Sequence, residues 1–277
     1  MSGRPPVAGQ PGTPGWLARL RIEADVPPLR PRVPLRAGAA VIGSVEPDFL
    51  QQIAADALLD GRPVLQREDA QGVAGWRVLG ELTASLEVVA QALQRAGLGG
   101  AWRNEQLAVC DAQERRVGTV ERAAVRPLGL TTWAVHLVGE TDEGRIWVQQ
   151  RALNKANDPG LWDTLMGGMV SAADTLQEAL ARETWEEAGL RLEALRGIAR
   201  GGRVTTRRQA IDGRGAGYVV EHIDWFRCTV PDGLAPVNQD GEVAQFRLLE
   251  PGELITQMAR GEFTTEAALI LSDLLNL

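Results

Sequence analysis

Basic residues are in the minority in this chain of 277 residues: 29 lysines and arginines face 36 aspartates and glutamates, for a formal charge of −7. No basic run or stripe offers a footprint for nucleic acid, so an anionic ligand must be met by cations gathered locally. Cysteine is scarce too. Cys110 and Cys228 stand far apart without a metal-ligand spacing, which argues against a cysteine zinc set and leaves two free thiols in a reducing compartment as the expectation. No apolar run approaches the roughly 20 residues of a membrane span. The opening MSGRPPVAGQPGTPG lacks the apolar core of a signal peptide, so a cytoplasmic location is expected. That opening has little to bury, and it is expected to be mobile to about Trp16. Residues 1–26 are therefore set outside the folded units. Histidine is reduced to His136, on an apolar segment, and His222, on an alternating one, where structural roles are expected. No internal repeat occurs.

Against these absences stands one dense stretch, GMVSAADTLQEALARETWEEAGL at residues 168–190. Each helical residue advances about 100°, so Glu183, Glu186 and Glu187 at i, i+3 and i+4 project from one narrow face. Three carboxylates there repel one another unless a cation sits between them; the alternative is a solvated acidic face. Leu176, Ala179, Leu180 and Thr184 supply the core-facing stripe, Ser171 or Asp174 is placed to cap the start, and Gly189 suits the left-handed position at the end.

The rest of the chain divides near Arg126. Before it, PDFLQQIAADALLD has helical periodicity, RPVLQR is a short strand, and ELTASLEVVAQALQRAGL is an amphipathic helix ended by Gly97. WRNEQLAVCDA and RRVGTVERA alternate as paired strands, which makes residues 27–126 a small α+β domain. Residues 127–277 form the second domain. TTWAVHLVGE and RIWVQQRAL read as strands ahead of the acidic helix. GGRVTTRRQAID and GYVVEHIDWFRCTV read as a hairpin, QDGEVAQFRLL as a further strand, and PGELITQMARG and TTEAALILSDLLNL as closing helices.

The acidic stretch resembles the Nudix box, in register at Gly168, Arg182, Glu183, Glu186, Glu187, Gly189 and Leu190. Asp174 stands where that family has Glu, one methylene shorter toward Arg182, and Thr184 stands where it has an aliphatic residue. The resemblance implies an α/β/α sandwich with a mixed sheet. It also implies Mg²⁺ or Mn²⁺ held by Glu183, Glu186, Glu187 and the carbonyl of Gly167, an all-oxygen set suited to hard cations. In that reading Glu183 is the first choice for the base that takes a proton from the attacking water. Arg182 orients Glu183 or else forms a surface salt bridge. Diphosphate-binding relatives often grip phosphate with an Arg-x-x-x-Lys pair before the box. Here that pair is Arg151 and Lys155, the only lysine in the chain, with a solvated loop pair as the plain alternative.

WRNE, VERA, RALNKANDPGLWD, DGEV and FTTEAAL also follow, in order, the landmarks of one two-domain Nudix subfamily, some of whose members are fused to thiamine pyrophosphokinase. That resemblance implies hydrolysis of thiamine diphosphate, or of its oxidised or damaged analogues, to a monophosphate and phosphate. Glu242 is a candidate fourth carboxylate near the metals, or a turn residue. Trp102, with Trp133 and Trp225, is a candidate for stacking on a substrate ring, against the commoner place of an indole in the core. Three other activities are weighed. A nucleotide or nucleoside-diphosphate-sugar pyrophosphatase fits the box equally. A non-catalytic metabolite sensor would commonly lose box carboxylates. An isopentenyl diphosphate isomerase needs a cysteine shortly after the phosphate strand, and none occurs between Arg151 and Arg227. The expected partner is a small diphosphate; the sequence does not state an oligomeric form.

Overall fold

The computed structural model describes residues 14–54, 59, 61, 63–70, 72–210 and 212–277. Its first element differs from expectation: part of the stretch set outside the folded units is a helix, α1 (Gly15–Ala24), with Leu17 fully buried. Trp16, Leu17 and Leu20 pack into the same apolar cluster as the C-terminal helix. Composition averaged over the opening masks this short stripe, which suffices once a partner helix covers it. Residues 1–13, the rest of that stretch expected to be mobile, lie outside the described residues.

Four strands follow, β1 (Val33–Ala37), β2 (Ala40–Val45), β3 (Leu65–Ala70) and β4 (Val73–Val78), in the order β2-β1-β4-β3 with β1 and β4 parallel. Helix α2 (Leu82–Arg95) buries Leu86, Val89 and Leu93, is capped by Glu81 and stops before Gly97 at φ +65°, as its pattern predicts. The helix expected over PDFLQQIAADALLD does not form in the described part. Only a 3-10 turn, Phe49–Gln52, appears, and Phe49, Leu50 and Ile53 still reach the core. Residues 55–58 and 60 of that stretch lie outside the described residues. Strands β5 (Gln106–Cys110) and β6 (Arg116–Glu121) pair as a hairpin.

The second half contains β7 (Thr131–Glu140), β8 (Ile146–Arg151), β9 (Trp162–Asp163), β10 (Met166–Met169), helix α3 (Leu176–Ala188), β11 (Arg196–Gln209), β12 (Tyr218–Thr229), β13 (Val243–Leu249), and helices α4 (Pro251–Ala259) and α5 (Thr265–Leu274). The sheet runs β11-β12-β7-β8-β13, with β10 beside β7 and β9 beside β8. It is mixed, because β12 and β7 are parallel while the other pairs are antiparallel. Successive strand side chains point to opposite faces. On β7, Ala134 and Val138 join the cluster of α1, α4 and α5, whereas Val135 and Leu137 join the cluster of α3. Helices thus cover both faces, the α/β/α sandwich that was expected. Both cysteines are free. No described helix is long and apolar enough to cross a membrane.

Candidate active site

Helix α3 begins with a reciprocal cap. The Thr175 hydroxyl accepts from the Glu178 amide at 3.2 Å, and the Glu178 carboxylate accepts from the Thr175 amide at 2.8 Å. Neither Ser171 nor Asp174 caps the helix as expected, because each has another partner. Ser171 accepts from the Ala173 amide, and Asp174 accepts from Arg182 Nε at 3.0 Å and Nη2 at 2.8 Å. The shorter acid therefore reaches its arginine. Thr184 is fully buried and donates to the Leu180 carbonyl at 2.6 Å, so a polar side chain occupies the aliphatic position with no orphaned hydroxyl. Gly189 closes the helix at φ +62°.

The Gly-Gly pair within strand β10, read in the sequence as a turn, owes its composition to close approach. A Cβ on Gly167 would stand 2.4 Å from the His136 ring, and one on Gly168 would stand 2.1 Å from the Glu183 carboxyl. Arg182 Nη1 donates to Glu183 at 2.8 Å and to Glu186 at 3.1 Å. Buried Glu187 accepts from the Gly167 amide at 3.0 Å and from Gln149 Nε2 at 2.8 Å, while the Gln149 carbonyl oxygen is buried without a partner. All of Gly167, Arg182, Glu183, Glu186 and Glu187 line one cavity of about 590 Å³.

Among the described residues no three Asp, Glu, His or Cys side chains converge closely enough to hold a metal as they stand. The donor chemistry nonetheless fits a hard cation: Glu183, Glu186 and Glu187 offer only oxygens, beside the orphaned Gln149 oxygen. Burial pushes the Glu187 carboxyl up to about 8 despite the Gly167 amide and Gln149. Burial likewise raises Glu183, outweighing the lowering by Arg182. Burial works to lower Arg182, and Glu183 and Asp174 more than reverse it. Ten carboxylates face the cavity against seven arginine or lysine side chains, an excess that a diphosphate alone would deepen.

Across the cavity, Arg151 and Lys155 both line the wall. Arg151 donates to the Asn157 carbonyl and pairs with Asp163 at 3.4 Å, and Lys155 pairs with Glu242. Glu242 belongs to the turn at Gly241, one residue before β13, and it also lines the cavity. Its burial favours the acid, but Lys155 and Arg151 hold it below the usual carboxylate range.

The tryptophans are elsewhere. Trp102 packs on the N-terminal core and donates to Asn104 at 2.9 Å, Trp133 meets His222 edge-on, and Trp225 is buried against Gly201. None lines the cavity; Trp102, expected to stack on a substrate ring, is half-buried against the core beside cavity-lining Arg103. His222 bonds Thr205, whereas His136, expected to be only structural, lies buried on the cavity wall and bonds Thr164 at 2.9 Å.

Several lining residues were not singled out in the sequence: Arg103, Glu105, Arg122 and Arg126 from the first half, and Arg208, Glu221 and Glu266 from the second. The first group is built around fully buried Glu121, which accepts from the amides of Arg103 at 2.8 Å, Glu105 at 3.1 Å and Ala123 at 3.4 Å. Arg122 then donates to Glu105 at 2.7 Å. The β5–β6 hairpin is locked to the loop behind the Gly-Gly pair, where the Ala172 amide donates to the Gln106 carbonyl at 2.7 Å and Arg116 donates to the Ala172 carbonyl at 2.6 Å. The motifs WRNE, VERA and FTTEAAL contained four of these residues, but only the register shows which side chains turn inward.

A NUDIX domain family model matches residues 130–270. The chain belongs to the Nudix family. It is 39% identical over 92 residues to an uncharacterized Nudix hydrolase of Pseudomonas aeruginosa, a match covering 33% of this chain and 54% of the relative. It is 34% identical over 150 residues to the isopentenyl-diphosphate Delta-isomerase of Leifsonia xyli, covering 52% of this chain and 75% of that one. The crystal structure of DR0079 from Deinococcus radiodurans is similar with a TM-score of 0.48 at 20% identity, over 60% of this chain and 97% of its own. The chain spans about half the length of the Pseudomonas relative.

Proposed function

We propose that this protein is a Mg²⁺- or Mn²⁺-dependent hydrolase of a diphosphate linkage, acting in the cytoplasm, with thiamine diphosphate or an oxidised analogue as the favoured substrate. The observation that carries the reading is the gathering of Glu183, Glu186, Glu187 and Gly167 around one cavity that Arg151 and Lys155 also line. When bound, the cation supplies charge neutralisation for the diphosphate and acidifies a bound water. The protein's own residues do the rest. Glu183 accepts the water proton, and Arg182, itself held by Asp174, fixes the Glu183 carboxyl. Arg151 and Lys155 grip phosphate oxygens, Lys155 exchanging its Glu242 partner for them. We place the division of labour between a 27–126 unit that shapes the pocket and a 127–277 unit that carries the chemistry.

Two observations favour a polar substrate over an isoprenyl one. Ala134, Ala156 and Met169 are the only apolar side chains among the lining residues, and no cysteine lies between Arg151 and Arg227. The test is hydrolysis with Mg²⁺, followed by chromatography of the phosphate-bearing products, of thiamine diphosphate, its oxo analogue, ADP-ribose and nucleoside triphosphates. It is repeated with Glu186→Gln and Glu187→Gln, each expected to lose about a hundredfold or more of kcat. Preference for ADP-ribose would move the substrate to the nucleotide class. No hydrolysis of any substrate, with wild type equal to both variants, would leave a metabolite sensor instead.

A further inference from the structure

We propose that Arg103, Arg126 and Glu221 form a subsite that selects the non-phosphate end of the substrate, reading a planar polar heterocycle that carries both hydrogen-bond donors and acceptors. The inference rests on the diphosphate hydrolase reading and deepens it, because it assigns specificity to residues far from the acidic helix in sequence.

The three residues sit where the main cavity meets an adjoining one of about 180 Å³, and each lines both. Their partners set them apart from their neighbours. In the same wall Arg122 is paired with Glu105, and Arg208 with Glu266. Among the described residues the exposed Arg103 side chain has neither an ion pair nor a hydrogen bond, although its backbone is held by buried Glu121. Arg126 reaches Asp212 only at 3.5 Å. Among the described residues Glu221 forms no ion pair and accepts one neutral hydrogen bond, from Thr132 at 3.2 Å. Two guanidinium groups and a carboxyl are thus left with unused capacity around one space.

A ring entering that space finds no aromatic side chain to stack on apart from His136, and beside the three polar groups the adjoining cavity offers aliphatic wall from Val125, Leu130, Val219 and Val220. It must be held by its edge, or by the flat face of a guanidinium. An aliphatic tail would leave all three groups unsatisfied, a large penalty in a site built for polar contacts. Burial, with Glu266 adding to it, raises the Glu221 pKa. The carboxyl therefore takes a proton more readily than an exposed glutamate, and once protonated it donates to a ring nitrogen while accepting from an exocyclic amine. Arg103, in WRNE, and Arg126 both belong to the first half of the chain. Selection therefore joins that half to β12, the strand of Glu221.

The experiment compares kcat/KM for thiamine diphosphate with that for methyl diphosphate, which keeps the reacting linkage and lacks the ring, in wild type, Arg103→Ala and Glu221→Ala. The ratio is expected to fall at least tenfold in each variant, through KM for the ring-bearing substrate. An unchanged ratio, or equal losses on both substrates, overturns the subsite. Binding of thiamine and of AMP, each without a diphosphate, is measured by calorimetry on the same proteins. If wild type hydrolyses neither diphosphate, thiamine diphosphate falls as the substrate and this measurement alone decides. At least tenfold weaker binding of either probe to Glu221→Ala supports the subsite, and equal binding, or none to wild type, overturns it.

Discussion

Gly168 shows how one missing side chain sets the chemistry. Its Cα is so close to Glu183 that a methyl group would stand 2.1 Å from the carboxyl. Gly168→Ala must therefore displace the residue proposed as base, and a displacement of about 1 Å is enough to cost about a hundredfold in rate. The expected result is a matching fall in kcat with an unchanged far-ultraviolet spectrum; a variant retaining more than a tenth of the activity would refute the placement. At this scale the sequence was informative where spacing alone decides position. The 100° helical advance put Glu183, Glu186 and Glu187 on one flank, and the structure finds all three on one cavity. It was uninformative for Glu221 and Arg103, because strand register and a buried anchor, Glu121, determine where those side chains go. The tryptophans differ among themselves: Trp225 is buried in the core, Trp102 and Trp133 are half-buried, and none of the three lines the cavity.

The acidic helix depends on its ends as well as its face. Thr175 and Glu178 satisfy each other's amides at the start. Thr175→Ala is expected to lower unfolding free energy by about 1 kcal/mol, measurable by urea titration, while Thr175→Ser keeps most of it; a loss below about 0.3 kcal/mol would mean that tertiary contacts hold the first turn without the cap. Elements with strong periodicity were legible in advance, including α2 with its glycine stop and β11 and β12 as a hairpin. Two short ones were not. The turn at Phe49–Gln52 buries the same apolar residues that an α-helix would, so pattern alone cannot separate the two. Helix α1 has too few apolar positions to declare itself, and it is ordered by the cluster it joins.

Over the whole molecule, the first half is bound into the second at several places, two of them far apart. One is the hairpin lock beside the Gly-Gly pair. The other lies at the rim of the large sheet, where β11 is the terminal strand and most of its residues are exposed. There Asp25 accepts from Arg207 Nε at 2.6 Å, and the Val26 amide donates to the Arg207 carbonyl at 2.9 Å. A bare rim strand offers unspent amides and carbonyls to any extended chain that drifts past. Helix α1 therefore serves as a bumper as well as a packing element. Leu17→Ser combined with Asp25→Ala is expected to undock it and produce concentration-dependent growth in mass by light scattering; a profile identical to wild type would show that the arginines along β11 repel neighbours without help. Its anchoring bonds close one end of that edge, at Arg207, to any strand that would extend the sheet.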